Sequence, residues 1–462
     1  MKRDINIRVA VAGNVDSGKT TFTGLLINDC LDDGRGHCRS LILRTPHEKA
    51  TGRTSTISHN NYIINGEDQR KIISLIDLAG HERYLKTTMF GITGCFVDYG
   101  LLMIGSNMGI TKMTKEHLGI FLYMKLPIII LLTKIDICPD NVYENVQKRI
   151  RAIFKLPIVK KKPYFFPRDP EKCKIEMEKF LKIGNPLDSF VPIITISNKT
   201  GVNIEPTKSL MLSLPPKFTW KNEIDGTIMY IDSKFMVTGI GLVLSGTVRG
   251  KSLKVGQKLW IGPINDKFLP FKARSLHNNV RESVDEVFSG QNGCIAIKML
   301  DKQIITRKMI KKGVIIMDNE ELKKNLSNHF KAKITVLNHA TTIGNNYSPV
   351  IHCGLIRQSA KIKILKVIRG VGKNKQIQNA KESDDVLKLR TGCEAIVEFV
   401  FKFRPEYIEK DFDLFFRDGT TKGFGKVIGI LPPVKVEKVK KKRYRQRKNN
   451  RNNDSLPEKN QK

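Results

Sequence analysis

The 462-residue sequence contains no uninterrupted apolar run of about 18 residues, so a membrane-spanning helix is not expected. It contains no CxxC pair. Its eight cysteines, Cys30, Cys38, Cys95, Cys138, Cys173, Cys294, Cys353 and Cys393, are scattered. Such spacing suits neither a thiolate zinc site nor a disulfide framework, and it points to a reducing compartment with free thiols. No signal peptide is read at the N-terminus, where Met1-Lys2-Arg3-Asp4 leads almost directly into an apolar stretch. A cytoplasmic protein is the expectation. Acidic residues are scarce beside basic ones, 45 against 80, which leaves a net charge of +35. Charge of that size calls for a polyanionic partner, most commonly RNA. An anionic membrane surface is the rival, but no basic amphipathic helix supports it, so no membrane partner is expected.

The length suggests about three domains. Residues 1–218 alternate apolar strands with helical patterns, as a parallel sheet wrapped by helices does. Within them, the polar stretch Asn28 to Asn61 is too long for an ordinary loop and reads as functional and mobile. The basic, proline-bearing segment from Lys155 to Pro192 reads as a surface insertion. After a linker at Leu214 to Asn222, short alternating strands cut by glycines predict a β-barrel over 224–318 and a second over 326–433. A polar run from Gly372 to Asp385 interrupts the second. From 434 to 462 the chain is low-complexity, with ten Lys/Arg against one Glu between Lys435 and Arg451, and a disordered tail is expected. Such a tail is either a solvated or localisation segment or an RNA-binding arm.

The most informative stretch is Gly13-Asn14-Val15-Asp16-Ser17-Gly18-Lys19-Thr20. A buried-strand pattern, Ile5 to Ala12, precedes it, and apolar positions at helical spacing follow it from Phe22. Strand, glycine loop and helix in that order turn GxxxxGK[ST] into a phosphate-binding loop, where backbone N–H groups and a helix N-terminus converge on phosphate oxygens. Lys19 reaches the β- and γ-phosphates in this reading, and the Thr20 hydroxyl ligates Mg²⁺. Asp77 ends a hydrophobic strand and is placed to hold the metal; Gly80 can give its N–H to the γ-phosphate and serve as a hinge. In Thr133-Lys134-Ile135-Asp136, the Asp136 carboxylate can accept from the N1 and N2 donors of guanine, a pattern adenine cannot match. Ser197-Asn198-Lys199 completes the base pocket. His81 is a candidate for orienting the attacking water, and Thr56 for a second Mg²⁺ ligand, with Thr54 and Ser55 as neighbouring hydroxyls. The expected nucleotide contacts are Asn14, Asp16, Ser17, Gly18, Lys19, Thr20, Thr21, Gly80, Thr133, Lys134, Asp136, Ser197, Asn198 and Lys199, with GTP/GDP and Mg²⁺ as ligands.

These motifs, with Asp77-Leu78-Ala79-Gly80-His81-Glu82 and the barrel stretch Val243 to Gly246, resemble elongation-factor-Tu-type translational GTPases. Leu31-Asp32-Asp33-Gly34-Arg35-Gly36, Gly52-Arg53-Thr54-Ser55, Tyr84 to Thr88, Met113 to Gly119, Ile351 to Gln358 and Phe415 to Lys422 resemble the branch of GTP-binding proteins one and two. The resemblance runs from about 5 to 430. It implies a GTPase domain followed by two β-barrels, with His81 positioning water, Thr56 as the switch threonine and Asp16 beside the metal, so that His81, Lys19 and Asp16 form the catalytic set. It also implies a monomer that holds an aminoacylated tRNA or a tRNA-like partner between the GTPase domain and the first barrel and is triggered by the ribosome, with a guanine-nucleotide exchange factor as a further candidate partner. A GTP-switched RNA-binding protein of RNA decay or surveillance is the alternative, and an activator of sulfuryl transfer a third. Three positions depart from the pattern. Ala79 replaces a proline, Ser55 replaces an apolar gate residue, and Thr133 replaces the usual Asn, which is expected to cost hydrogen bonding between loops. Abundant Lys, Asn and Ile are what an AT-rich genome, such as a protist's or a large DNA virus's, encodes.

Overall fold

The computed structural model describes residues 4–43, 45–52, 54, 57–66, 69–156, 159–216, 225–301, 305–370, 387–419 and 421–435. Ser55, Thr56, the polar run 372–385 and the tail beyond Lys435 lie outside the described residues.

The first domain is built on β1 (Ile5–Gly13), which lies inside a seven-stranded sheet. Its side chains alternate between two cores. Ile7, Val9 and Val11 pack with Phe22, Leu25 and Leu26 of α1 (Lys19–Asn28), while Ala10 and Ala12 face Leu85, Met89, Leu118 and Phe121 on the other side. Burial on both faces is why the strand reads as a continuous apolar run. Each fully buried aliphatic side chain contributes about 1.5–3 kcal/mol, so the sheet holds the loop at its C-terminal edge rigidly.

The remaining strands are β2 (Ser58–Asn65), β3 (Arg70–Asp77), β4 (Tyr99–Gly105), β5 (Ile128–Thr133), β6 (Lys162–Phe165) and β7 (Phe190–Thr195), in the order β2-β3-β1-β4-β5-β7-β6. The pairings are parallel except β2 with β3. The sheet is therefore mixed rather than purely parallel, because the polar segment Ser58–Asn65 folds back as an antiparallel edge strand. The stretch Asn28–Asn61 is not one loop: it holds α2 (His37–Ile42), α3 (Pro46–Thr51, capped by Thr45) and the start of β2.

The segment Lys155–Pro192 is not a surface insertion. It supplies β6 and α7 (Pro170–Leu181), whose Cys173, Met177 and Phe180 are buried at i, i+4 and i+7. Intervening Lys and Glu residues hide that stripe from a reading based on charge. The sheet is completed by α4 (Leu85–Gly94), α5 (Lys112–Tyr123), α6 (Asp140–Phe154), the single turn α8 (Pro186–Ser189) and α9 (Ile204–Ser213).

Two closed β-barrels follow. In the first, Lys258–Ile264 pairs with Lys267–Asn278, and the ring continues through Asn292–Met299, Gly241–Gly250, Thr227–Val237 and Ile315–Met317. At Gly246 any Cβ would strike the carbonyl of Tyr230, beside a bulge at Ile231/Ser233, so this crossing needs glycine. In the second, His329–Asn338 pairs with both Glu394–Phe401 and Thr421–Leu431 and closes a six-stranded ring.

Candidate nucleotide and metal site

The candidate site lies at the C-terminal ends of β1, β3, β5 and β7, the edge where open α/β sheets bind ligands. The loop after β1 turns on three residues with positive φ: Gly13 (154°), Asp16 (58°) and Gly18 (81°). Gly18 immediately precedes α1, so backbone N–H groups and the helix N-terminus face the same cleft. Lys19 is buried, and its Nζ donates to the Asn14 carbonyl at 2.6 Å. Burial pushes its ammonium below the ordinary lysine value, against the opposing pull of Asp77 and Asp16. Ser17 Oγ donates to the same carbonyl at 2.9 Å, fixing the loop from within. A Cβ on Gly80 would stand 2.6 Å from Lys19 Nζ and 2.7 Å from the Asn14 carbonyl, so the loop after β3 can approach this closely only with glycine.

Beside Lys19 sits a cluster of oxygens. Thr20 Oγ1 donates to Asp77 Oδ2 at 2.7 Å, and the Thr54 hydroxyl lies 2.8 Å from Thr20 Oγ1 and 3.3 Å from Asp77 Oδ2. Asp77 is fully buried, and its Oδ1 has no hydrogen-bond partner among the described residues. Burial raises its carboxyl above the usual range, offset by the Lys19 charge and the two hydroxyls, while the buried Glu48 of α3 pushes it further up. An orphaned carboxylate oxygen among hydroxyls is a donor set of the kind a hard divalent cation takes. Thr54, one of the hydroxyls beside the candidate Thr56, occupies this cluster; Thr56 lies outside the described residues. Glu48 was not anticipated, because nothing in a run of polar residues marks one carboxylate as buried.

The base end is shallower. Lys134 adopts positive φ (61°), and Asp136 is exposed, with Oδ1 accepting from Ser197 Oγ at 2.7 Å. Ser197 Oγ also accepts the backbone N–H groups of Lys199 (3.3 Å) and Thr200 (3.1 Å), so one hydroxyl holds the loop and aims the carboxylate. Thr133 does not forfeit the contact between loops: its Oγ1 donates to the Ser17 carbonyl at 3.0 Å, and Asn198 Nδ2 approaches the Gly18 carbonyl at 3.4 Å. His81 is exposed on the lip of the phosphate end, where its Nδ1 accepts from Arg83 N at 3.1 Å. A cleft of about 270 Å³ is bordered by Asp16, Gly18, Lys19, Thr20, Thr21, Thr54, Gly80 and His81, and also by Arg39, His47 and Arg83, which no motif marked.

A glycine-shaped cradle, a buried lysine, an oxygen cluster and a carboxylate at the far end define a P-loop nucleotide switch. Comparison with known proteins gives the family. The model of the elongation factor Tu GTP-binding domain matches residues 4–248. GTP-binding protein 1 of Xenopus laevis is 36% identical over 449 residues, covering 92% of this chain and 64% of that protein. GTP-binding protein 2 of Homo sapiens is 32% identical over 448 residues, covering 92% and 69% respectively. The chain thus spans about two thirds of the length of these relatives. Among solved structures, a bacterial selenocysteine-specific elongation factor superposes with a TM-score of 0.65 at 21% identity, over 94% of this chain and 60% of the other. Elongation factor SelB from Methanococcus maripaludis, in complex with the GTP analogue GppNHp, superposes at 0.63 and 20% identity, over 94% and 81%. At those identities the likeness shows the fold.

The chain belongs to the elongation-factor-Tu GTP-binding family, within the group of GTP-binding proteins 1 and 2. Members of that family are GTPases that bind GTP and GDP, typically with Mg²⁺.

Proposed function

We propose that this chain hydrolyses GTP as a translation-elongation-factor-like protein, carrying a tRNA, aminoacylated, or a tRNA-like partner to the ribosome for delivery or rescue. One observation carries the reading. A second cleft, of about 1010 Å³, runs between the first domain and the first barrel and has Thr20, Thr54 and Asp77 at one end. Its barrel side includes Phe235, Met236, Val237, His277 and Asn292, and its first-domain side Ile27, Ile42 and Leu43. An occupant of that cleft would touch both the barrel and the oxygen cluster that senses the nucleotide. Apolar walls with a few polar groups suit the stacked, hydrogen-bonding end of a single-stranded RNA. The net charge of +35 supports an RNA partner in the cytoplasm.

In this reading Lys19 and the loop N–H groups bind the β- and γ-phosphates, and the Gly80 N–H meets the γ-phosphate. Thr20, Asp77 and a switch hydroxyl, Thr56 or its neighbour Thr54, would hold Mg²⁺, which when bound neutralises phosphate charge. Asp16 supports the metal end, and His81 turns inward to orient the attacking water. Lys134, Asp136, Ser197, Asn198 and Lys199 read guanine. The protein acts as a monomer, with nucleotide exchange left to it or to an exchange factor.

The test is GTP turnover by the purified chain, alone and with ribosomes charged with tRNA, beside His81→Ala. Ribosome stimulation that disappears in the variant is the expected result. Tight GTP binding without any stimulation would overturn the ribosomal reading in favour of an RNA-decay or surveillance switch. Asp136→Asn should move base preference from guanine toward xanthine, and unchanged GTP affinity in that variant would remove Asp136 from base reading.

A further inference from the structure

We infer that Cys30 and Cys38 form a redox modification site, at which a peroxide joins the two thiols into a disulfide that pins the segment following α1. Their sulfurs lie 3.4 Å apart, and the Cys38 thiol donates to the Cys30 carbonyl at 3.1 Å. Cys30 follows the end of α1 and is half-exposed, whereas Cys38 is fully buried in α2. The loop between them already holds its ends together. Asp33 Oδ1 accepts from the N–H groups of Arg35 (2.7 Å), Gly36 (3.0 Å) and His37 (3.1 Å), and Asp32 Oδ1 from that of Cys38 (3.1 Å). Closing the sulfurs to about 2.05 Å therefore asks for a small side-chain movement rather than a rebuilt loop.

Exposure sets the order of events. Cys30 gives up its proton and its sulfur attacks one peroxide oxygen; the O–O bond breaks, and the departing hydroxide takes up a proton in place of the one Cys30 lost and leaves as water, giving a sulfenic acid on Cys30. The Cys38 sulfur then attacks the Cys30 sulfur. The S–O bond breaks, the oxygen leaves as a second water with the Cys38 proton, and the S–S bond forms. Two thiols are oxidised, and one peroxide is reduced to two waters. Burial and the neighbouring Cys30 raise the Cys38 thiol to about 12, so it does not compete with Cys30 for the peroxide and gives up its proton only to the departing hydroxyl of the second step.

The bond would act on the switch. Gly24 of α1 lies against the Cys38 carbonyl so closely that a Cβ there would collide with it. The Asp32 N–H donates to the Asn198 carbonyl at 2.9 Å, tying the loop to the base-reading segment. Downstream of Cys38, Arg39, His47 and Thr51 border the phosphate cleft. Fixing α2 on α1 holds this cover in place, so the oxidised protein should release GDP more slowly. That consequence rests on the guanine-nucleotide reading above; formation of the bond does not.

The test uses the full chain, reduced and then treated with hydrogen peroxide. Trypsin cuts at Arg35, between the two cysteines, so the bond would join two peptides. A joined peptide that separates with dithiothreitol and is absent from Cys30→Ser is the expected result. Cys30 found only as sulfinic acid, or bonded to another cysteine, overturns the proposal. In parallel, release of a fluorescent GDP should slow several-fold on oxidation, recover with dithiothreitol and stay insensitive to peroxide in Cys30→Ser. A mapped disulfide with unchanged release overturns the switch role. Failure of the reduced protein to bind GDP would instead overturn the nucleotide reading, with the peptide map still deciding the thiol pair.

Discussion

The first domain meets the two barrels in different ways. Toward the first barrel it makes several polar contacts spaced apart, with Phe96 against Tyr230 (4.8 Å) as an aromatic one beside them. Arg70 bridges Asp4 (2.8 Å) and Glu282 (2.6 Å), Asn61 Nδ2 donates to the Asn279 carbonyl (2.9 Å), Asn279 Nδ2 donates to Ser74 (2.7 Å), and Arg8 reaches the Thr247 hydroxyl (3.3 Å). The large cleft lies among them. Toward the second barrel the contact is mainly aromatic. Tyr123 of α5 packs against Phe415 edge-on (4.7 Å) and Phe424 (3.9 Å) and donates to the Gly425 carbonyl at 2.5 Å, and Glu116 of the same helix pairs with Lys422. Phe415 joins the first domain's own apolar cluster. A packed aromatic contact fixes orientation, whereas a spaced polar one leaves room for a ligand. The second barrel is thus expected to act as the anchor and the first as a jaw.

The largest effect should come from cutting the anchor. Tyr123→Ala removes a half-buried ring and its hydrogen bond, a loss of about 3 kcal/mol, at the low end for aromatic-to-alanine changes. Calorimetry should show one unfolding transition becoming two as the second barrel unfolds separately. A single transition shifted by a degree or so would refute the anchor.

A comparable test lies where all three domains meet. Arg249 sits over Phe96 (5.6 Å), Tyr230 (5.5 Å) and Phe412 (5.9 Å), and its Nη1 is 3.2 Å from Glu409 Oε2. Both side chains of this pair are largely buried, so Arg249→Met removes the counter-charge of a carboxylate that keeps the Tyr230 hydroxyl, at a cost of about 3 kcal/mol. Denaturant unfolding measures it. The double variant Arg249→Met/Glu409→Leu should recover most of the loss, and no recovery would mean the pair acts only through packing.

Between the barrels, Glu406 is 1% exposed and accepts from Arg404 Nε (2.9 Å) and Gln358 Nε2 (3.0 Å). Its other oxygen is buried without a partner among the described residues. Burial lifts its carboxyl from 4.5 to about 7, with Arg404 opposing. The folded state therefore holds this proton more tightly than the unfolded chain. The associated stability is complete below the unfolded value of 4.5 and is lost as pH rises through about 7. Glu406→Gln should flatten that slope and raise stability at pH ~8 by about 3 kcal/mol. Parallel pH profiles for wild type and variant would contradict this.

What was legible in the sequence was what is local. The phosphate loop is one contiguous pattern between a strand and a helix, and Glu394–Phe401 shows its barrel strand by strict alternation of buried and less buried positions. What stayed hidden depends on residues far apart in the chain or on burial. Tyr123 meets Phe415 across almost 300 positions, the thiols of Cys30 and Cys38 meet through a loop without a redox motif, and α7 conceals three core residues among lysines. Thr133 shows a different limit. Read by residue type it loses an amide, but the position is set by a backbone carbonyl within reach, and a hydroxyl serves.

The smallest effect belongs to the jaw. Arg70 is held by two carboxylates, and its guanidinium depresses the Glu282 carboxyl to about 2, with help from Asn278. That contribution is present above the unfolded value of 4.5 and is lost as pH falls toward 2, so it plays no part in any change near neutrality. The pair is solvent-exposed and salt-screened, and exposed pairs contribute little to stability. Arg70→Ala should leave the unfolding midpoint within about 2 °C of wild type. It should instead loosen the first barrel against the first domain, read as a larger radius of gyration at low salt that converges with wild type as salt rises. A midpoint drop as large as that of Tyr123→Ala would make the first barrel an anchor too, and the cleft a gap in a rigid body rather than the mouth of a jaw.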